Sequence, residues 1–202
     1  MIKKIICLIL LYLCISCSNN TNSNIDKNKN LFDKPETLYK LAKITFDNQN
    51  LELAREQFKE INKLFPLSNE AIQSEIMIAF IDYIQMDYNN AILNYKKSIS
   101  INPDYFEAHI NLGNAFRDKG DFNASIFHLQ KSLRINPKSY ESYSNLGLTY
   151  KKKGSFTSGI KNTKSAIRLD RKKSVAYKNL GAIYFELKNY NLAIKLFKTS
   201  ST

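Results

Sequence analysis

Asparagine recurs at one position of the sequence at a constant interval. The three residues are Asn111, Asn145 and Asn179, and each stands two residues before a glycine. A carboxamide both donates and accepts hydrogen bonds, so it can bind the N–H and C=O groups of a peptide backbone. We therefore interpret this asparagine ladder as a candidate site for an extended peptide. The alternative is that these amides are simply solvated.

No set of residues with the types and spacing of a catalytic site accompanies the ladder. His109 and His128 lie inside apolar-periodic stretches, where packing or surface positions account for them. The carboxylates Asp118 and Asp121 are close in sequence, but Asp121 stands where a helix cap is needed. All three cysteines precede residue 18, which excludes a Cys/His zinc site in the rest of the chain. We expect no enzyme activity, no metal and no cofactor.

The segment 1–17 has the layout of an export signal. Lys3 and Lys4 precede an apolar run, residues 5–13, that is too short to cross a bilayer as a helix. The run ends in small and polar residues around Cys17, and the segment resembles a bacterial lipoprotein signal. That resemblance implies that residues 1–16 are removed and that Cys17 is acylated, with palmitate among its acyl chains. The family usually has Leu where this chain has Cys14, so an uncleaved anchor or ordinary cleavage stays open.

Residues 17–34 are rich in Asn, Ser and Lys and predict a disordered tether behind the acylated cysteine. The tether would hold the folded body away from a membrane surface.

Basic residues concentrate in the last third of the chain. Residues 5–139 hold 15 Lys and Arg against 15 acidic residues, whereas residues 140–202 hold 13 against three. We expect a basic patch that binds an acidic protein or anionic lipid, because export disfavours nucleic acid. The alternative is that these lysines serve solubility. The expected patch consists of two runs, Lys151, Lys152 and Lys153, and Arg171, Lys172 and Lys173.

The elements that position these residues come from a repeat. Pro66, Pro103 and Pro137 end apolar-periodic stretches at nearly equal intervals. Small residues allow two helix backbones to approach closely, and Asn, Asp or Ser at a helix start accepts unpaired N–H groups. We call a position that recurs once in each repeat a column. The first column of small residues consists of Ala42, Ala79, Gly113, Gly147 and Gly181. A second is Ala54, Ala91, Ser125, Gly159 and Ala193. The cap column is Asn50, Asp87, Asp121, Ser155 and Asn189.

The period and these columns resemble the tetratricopeptide repeat over about residues 35–202. The resemblance implies an all-α fold, a right-handed superhelical array of about five helical hairpins whose first helices line a concave groove. The predicted units are 35–71, 72–105, 106–139, 140–173 and 174–202.

The resemblance also places the asparagine ladder in that groove. The family's clamp for C-terminal carboxylates is poorly matched. Asn114 and Asn145 fit it, but Ile110, Val175 and Asn179 stand where basic residues are expected. We add Asn114 to the predicted groove residues and reject clamp binding.

Residues 38–103 also resemble the N-terminal half of the BamD-type outer-membrane assembly lipoproteins. The shared segments are LYKLAK, FKEINKLFPLSNEA and IMIAFIDYIQMDYNNAI, and the three extra residues between the first two prolines match as well. After Pro103 the sequence departs from that family. The resemblance favours the outer membrane within the bacterial cell envelope.

We predict a lipid-anchored scaffold that binds a protein or extended peptide in the cell envelope. The alternatives are a BamD-like accessory of outer-membrane β-barrel assembly and, further away, a carrier or enzyme subunit. Because repeat arrays bury each unit against the next, the last unit should present an apolar edge for self-association or for its partner. We expect Ile183, Leu187, Ile194 and Phe197 to be the apolar residues that form that edge.

Overall fold

The computed structural model describes residues 34–201, which fold into ten α-helices and contain no strand. The predictions for the signal peptide 1–16, for Cys17 and for the tether up to residue 33 lie outside the described residues. The helices are α1 Pro35–Asp47, α2 Leu51–Leu64, α3 Asn69–Ile84, α4 Tyr88–Ile101, α5 Phe106–Lys119, α6 Phe122–Ile135, α7 Tyr140–Lys152, α8 Phe156–Leu169, α9 Ser174–Glu186 and α10 Tyr190–Thr199.

The predicted cap column starts the second helix of most hairpins. Asn50, Asp87, Asp121 and Asn189 each accept a hydrogen bond from the backbone N–H three residues further on, at 3.0–3.4 Å. Each bond satisfies one of the N–H groups that the first turn of a helix leaves unpaired. Ser155 holds the fifth position but makes no cap bond through its side chain.

The turn inside each hairpin requires one residue in the left-handed region. Gly120 and Gly154 supply it with φ of 97° and 81°, and glycine adopts this conformation without a Cβ penalty. In the other three hairpins Gln49, Met86 and Lys188 occupy the same turn with φ of 60–64°. The turn geometry is therefore imposed by the hairpin even where the sequence offers no glycine.

The helices form two layers. Each helix packs against the next along the chain, and the first helix of each hairpin also packs against the first helix of the following hairpin. Among residues 34–201, no second helix packs against another second helix. The first helices α1, α3, α5, α7 and α9 thus form a continuous inner layer, and the second helices form an outer layer. The predicted all-α array of five hairpins is confirmed.

Small residues fix the distance between the two layers. A Cβ atom on Gly147 would lie 2.1 Å from Oγ1 of Thr163, and one on Gly113 would lie 2.7 Å from Cγ of Leu129. Both distances are shorter than the closest approach between a Cβ atom and a non-bonded atom. Each glycine therefore marks a point where the second helix contacts the backbone of the first helix. The small columns found in the sequence are these contact points.

The two histidines pack inside the third hairpin. Nε2 of His109 lies 3.1 Å from the carbonyl oxygen of Pro103, which can only accept, so His109 donates from Nε2. Its Nδ1 then accepts from Nδ1 of His128 at 3.1 Å, and the His128 ring stacks on Phe116. Burial lowers the pKa of His109 and, together with His109, lowers the pKa of His128 to about 4. Both imidazoles are neutral packing groups at pH 7.

We predict that Gly147→Ala lowers the free energy of unfolding by about 1–3 kcal/mol, because the added methyl overfills a closed contact. The sign of the change in the free energy of unfolding shows whether the contact is closed, because Gly→Ala inside an uncrowded helix stabilises by roughly 0.5–1 kcal/mol. Urea unfolding followed by helical circular dichroism measures the change. The double variant Gly147→Ala, Thr163→Ala removes the oxygen that the methyl meets, so it should lose less than the sum of the single losses. A stabilising Gly147→Ala would contradict the contact.

Candidate functional site

The asparagine ladder lies on three successive first helices, α5, α7 and α9, with each side chain half-buried in the inner layer. Oδ1 of Asn145 accepts from Nη1 of Arg117 at 3.3 Å, and Nδ2 of Asn179 donates to Oγ of Ser144 at 3.2 Å. Asn111 makes no side-chain hydrogen bond within residues 34–201. The ladder therefore keeps free hydrogen-bonding groups: both ends of Asn111, the NH₂ of Asn145 and the carbonyl of Asn179.

A charged pair, Arg117 and Asp118, occupies the centre of the inner layer. Arg117 is only 7% exposed, and its Nε and Nη2 donate to the two carboxylate oxygens of Asp118 at 3.0 and 2.9 Å. Its Nη1 donates to Oδ1 of Asn114 at 2.8 Å, in addition to the bond to Asn145. The predicted groove residue Asn114 thus orients the guanidinium, and only Asn145 connects the ladder to this pair.

Two further side chains converge on the Asp118 carboxylate from the neighbouring hairpins. Tyr83 of α3 donates its hydroxyl to Oδ2 at 2.6 Å, and Lys152 of α7 donates to Oδ1 at 3.1 Å. One carboxylate consequently joins the first helices of three hairpins. Charge-assisted hydrogen bonds of this kind are about twice as strong as neutral ones.

The protonation states follow from these contacts. Burial raises the pKa of Asp118, but the hydrogen bonds from Arg117 and Tyr83 outweigh burial, and the pKa of this carboxyl lies well below its usual value. Burial, reinforced by the bond to Asp118, raises the pKa of Tyr83 to about 12. At neutral pH Asp118 is therefore an anion, and Tyr83 keeps the proton that it donates.

Nothing in the local sequence around Asp118 indicates this network, because its nearest carboxylate in sequence, Asp121, suggests only a role at the helix junction. Asp121 caps α6, whereas Asp118 faces the neighbouring first helices. A usable signal existed, because Tyr83 and Lys152 lie about one repeat period before and after Asp118 in the sequence. Residues one period apart stand at neighbouring positions on adjacent first helices, so complementary types at that spacing predict contacts.

Aromatic residues line the inner layer on the side of the first two hairpins. The ring centroids of Phe46 and Phe80 lie 5.9 Å apart, and those of Phe80 and Tyr83 lie 6.2 Å apart. These three half-buried rings form what we call the aromatic shelf, Phe46, Phe80 and Tyr83. The inner layer thus changes from apolar at the shelf to amide and charged groups at the ladder.

The predicted basic patch is not one surface. The first run ends α7 and the second run precedes α9, beside the start of α7, where Lys173 donates to Glu141 at 2.7 Å. The 13-residue helix α7 separates the two runs by roughly 20 Å, at 1.5 Å per residue. The sequence places both runs in one unit, but the helix carries them to opposite ends of it.

Most of these cations are also engaged within the array. Lys151 lies 3.8 Å from Glu186, Lys152 binds Asp118, and Lys153 donates to Oδ1 of Asn123 at 2.7 Å. Within the described residues, only the exposed Arg171 and Lys172 of the six have no side-chain partner. The two runs mainly connect hairpins to each other.

The expected apolar edge at the last hairpin is partly formed. Leu187, Ile194 and Phe197 are exposed, as predicted, but the prediction for Ile183 is wrong. Ile183 is fully buried because its Cδ1 packs against the open backbone at Gly159 of α8.

A concavity lies between α2 and α4, over α3. At its floor Asp82 pairs with Arg55, and Glu75 pairs with Lys97. Asn94 also donates to Asp82, at 2.8 Å. Because both buried carboxylates already have basic partners on neighbouring helices, we assign this cluster to holding the first two hairpins together.

Residues 34–201 contain no group of three or more His, Cys, Asp or Glu placed to hold a metal ion. In the same part of the chain, no helix combines the length and the apolar character that crossing a bilayer requires.

Comparisons with known proteins agree with the two-layer array. Family models described as TPR repeat match residues 81–116 and 113–154, and models described as tetratricopeptide repeat match residues 140–173 and 175–201. Together the matches cover more than half of the chain. No curated protein matches the sequence.

Several solved structures share the fold. MamA from Desulfovibrio magneticus RS-1 has 17% identity and a TM-score of 0.70, covering 83% of this chain and 93% of that chain. Pseudomonas aeruginosa pilF has 14% identity and a TM-score of 0.72, covering 83% of this chain and 75% of that chain. YrrB is described as a TPR protein with an unusual peptide-binding site. It has 13% identity and a TM-score of 0.63, covering 89% of this chain and 91% of that chain. At these identities the likeness shows the fold alone.

We predict that Asp118→Asn lowers the free energy of unfolding by about 1–3 kcal/mol, because it leaves the Arg117 guanidinium buried without its charged partner. The loss is less than for a fully buried pair, since the Asp118 side chain is 19% exposed. Lys152→Gln serves as the control. This lysine is 44% exposed, so its loss should stay below about 1 kcal/mol. Urea unfolding measures both variants, and equal losses would contradict Asp118 as the centre of the network.

Proposed function

Because the chain belongs to the tetratricopeptide repeat proteins, we propose that it is a scaffold whose inner layer binds an extended segment of another protein. The observation that carries this proposal is the asparagine ladder and its free hydrogen-bonding groups. An extended peptide presents N–H and C=O groups along its length, and amides on three successive helices can bind them in one register.

The aromatic shelf supports the same proposal. Its rings lie in the same layer, on the first helices that precede the ladder, and offer an apolar surface to a side chain of the bound segment. The Asp118 network joins three of the first helices between these regions, so the groove is largely formed before binding, which reduces the entropic cost of association. The description of the structurally similar YrrB as a peptide-binding TPR protein is consistent with this mode.

The groove prediction is tested with random peptides displayed on phage and selected on the immobilised chain. Enriched peptides should bind Asn111→Ala several-fold more weakly, because a lost hydrogen bond is worth roughly 0.5–1.5 kcal/mol. The triple change of Asn111, Asn145 and Asn179 to Ala should weaken binding further while the helical circular dichroism stays intact. Fluorescence anisotropy gives the affinities.

The matched control is Asn191→Ala, an exposed asparagine of the outer-layer helix α10, and its affinity should equal that of the wild type. Unchanged affinity in the triple variant would remove the ladder from the site. A selection that enriches no peptide would argue against the groove itself.

We further propose that the chain is a lipoprotein of the bacterial cell envelope, held at a membrane, with the outer membrane favoured, through acyl chains on Cys17. The support is the arrangement of residues 1–17: two lysines, a short apolar run and a cysteine after small residues. Several acyl chains on one residue would give a durable anchor, because each buried methylene contributes about 0.8 kcal/mol. The anchor would be compatible with self-association at the exposed edge of Leu187, Ile194 and Phe197, which stays a prediction.

Cys17→Ser should move the protein from the detergent phase to the aqueous phase in a detergent phase-separation experiment, because the acylation site is lost. Cys14→Ser is the matched control, since Cys14 would leave with the signal and its loss should change nothing. A wild-type protein already found in the aqueous phase would show that the lipoprotein proposal is wrong.

A BamD-like role in outer-membrane β-barrel assembly is the second candidate. The observation that favours it is the first inter-hairpin junction, where three extra residues lengthen α3 to 16 residues, the longest helix of the described part. Ser68 caps this extended start by accepting from the N–H of Ala71 at 3.0 Å. Co-purification of a β-barrel assembly protein from detergent-solubilised envelope would distinguish this role from general peptide binding.

A further inference from the structure

The charge of the outer-layer helices changes along the array, from equal numbers of acidic and basic residues to basic residues alone. The helix α2 carries three Glu against three Lys and Arg, whereas α4, α6, α8 and α10 together carry nine Lys and Arg and no acidic residue. The acidic residues of the last three hairpins lie on first helices or in loops, and four of them pair with nearby cations: Asp104, Asp118, Glu141 and Glu186. The outer layer therefore carries an excess of positive charge. Within residues 34–201, only Lys97 and Lys131 of these nine cations lie near a carboxylate, that of Glu75 and that of Asp104.

The basic residues of α8 point away from the rest of the protein. This helix buries Gly159 and Ala166 against its neighbours. At 3.6 residues per turn, Lys161, Lys164 and Arg168 fall on the opposite side, and all three are exposed. Within residues 34–201 none of them pairs with a carboxylate.

The helix α10 repeats this arrangement one period later. Lys195 follows Lys161 by one repeat period, and Lys198 follows Lys164 by the same interval. Both are exposed on the side of α10 opposite the buried Ala193. The outer faces of the last two hairpins thus present a repeated pair of lysines without acidic partners in the described part of the chain.

The same register position is apolar in the two preceding hairpins. Leu93 and Phe127 precede Lys161 by two periods and one period, and they are 63% and 58% exposed. One equivalent position on the four helices α4, α6, α8 and α10 is therefore occupied in turn by Leu93, Phe127, Lys161 and Lys195. Large exposed apolar side chains continuous with unpaired lysines are the combination that binds membrane interfaces.

We propose that the outer layer docks on a membrane surface that contains anionic lipid. The lysines of α8 and α10 would contact lipid phosphates, while Leu93 and Phe127 enter the interface. Lysine is a strongly hydrated point charge and Arg is the better match for paired carboxylates, so a lysine-rich face favours lipid over an acidic protein. Docking through the outer layer leaves the inner layer open, and this inference is independent of peptide binding.

Vesicle co-sedimentation tests the charge. Every protein is the full chain with Cys17→Ser, so that acylation contributes nothing and the N-terminal residues are otherwise identical. The probes are vesicles of phosphatidylcholine alone and of phosphatidylcholine mixed with phosphatidylglycerol. The outer-layer variant carries Lys161→Gln, Lys164→Gln, Lys195→Gln and Lys198→Gln. The control variant has the same net charge and carries Lys34→Gln, Lys40→Gln, Lys119→Gln and Lys178→Gln, all at exposed positions outside the second helices.

The parent protein, which carries Cys17→Ser alone, should prefer the anionic vesicles, and its binding should weaken with added salt. The outer-layer variant should lose on the order of tenfold or more in affinity, because each lysine near an anionic surface contributes roughly fivefold. The control variant should lose little. Equal losses in the two variants, or no preference for anionic vesicles, overturn the proposal.

Fluorescence tests the orientation, because the chain contains no tryptophan. Phe127→Trp should shift its emission to shorter wavelength when anionic vesicles are added. Phe185→Trp is the matched control on the first helix α9, where Phe185 is 57% exposed and packs edge-on against Tyr190. Its emission should not change. A shift at both positions, or at neither, overturns docking through the outer layer.

Discussion

The close approach of the two helices in each hairpin is the constraint on which the array depends. At Gly147 the second helix comes so near that a methyl group has no room, and Ala42 and Ala79 are completely buried at the equivalent positions. Ala54 and Ala91 are completely buried in the second small column, on the facing helices. A helix pair packed this closely has one relative position, so each hairpin presents the same two faces to its neighbours. The regular inner and outer layers follow from this repetition.

Contacts between hairpins then use residues separated by about one period. Tyr83, Asp118 and Lys152 meet because each occupies a neighbouring position on consecutive first helices. The same geometry pairs Lys151 with Glu186, and Lys173 with Glu141. These pairs engage two of the three acidic residues of the last third, and the lysines of α8 and α10 have no carboxylate partner within residues 34–201. The inner layer thus neutralises its own charges, whereas the second helices of the last two hairpins keep theirs.

The two layers offer different chemistry to different partners. The inner layer combines aromatic rings with amides that retain free donors and acceptors, which suits an extended peptide. The outer layer combines lysines with isolated apolar side chains, which suits the interface of a membrane. Because the layers face opposite ways, the two proposed interactions do not compete: a protein segment would bind the inner layer while the outer layer contacts lipid. An acyl anchor at Cys17 would add to the membrane contact without involving either layer.

The sequence by itself determined the fold, because a constant repeat period, small columns and cap residues are local requirements of a helical hairpin. It also placed Asn111, Asn145 and Asn179 on one layer, since equal spacing in a repeat means an equivalent position. It did not show that Arg117 already binds Asn145, or that α7 separates the two basic runs. It also gave no reason for Ile183 to be buried against Gly159. Those facts depend on which side chains meet between hairpins and on the length of the helix between them. Such distances exist only after the units have packed, so the tertiary structure decided them.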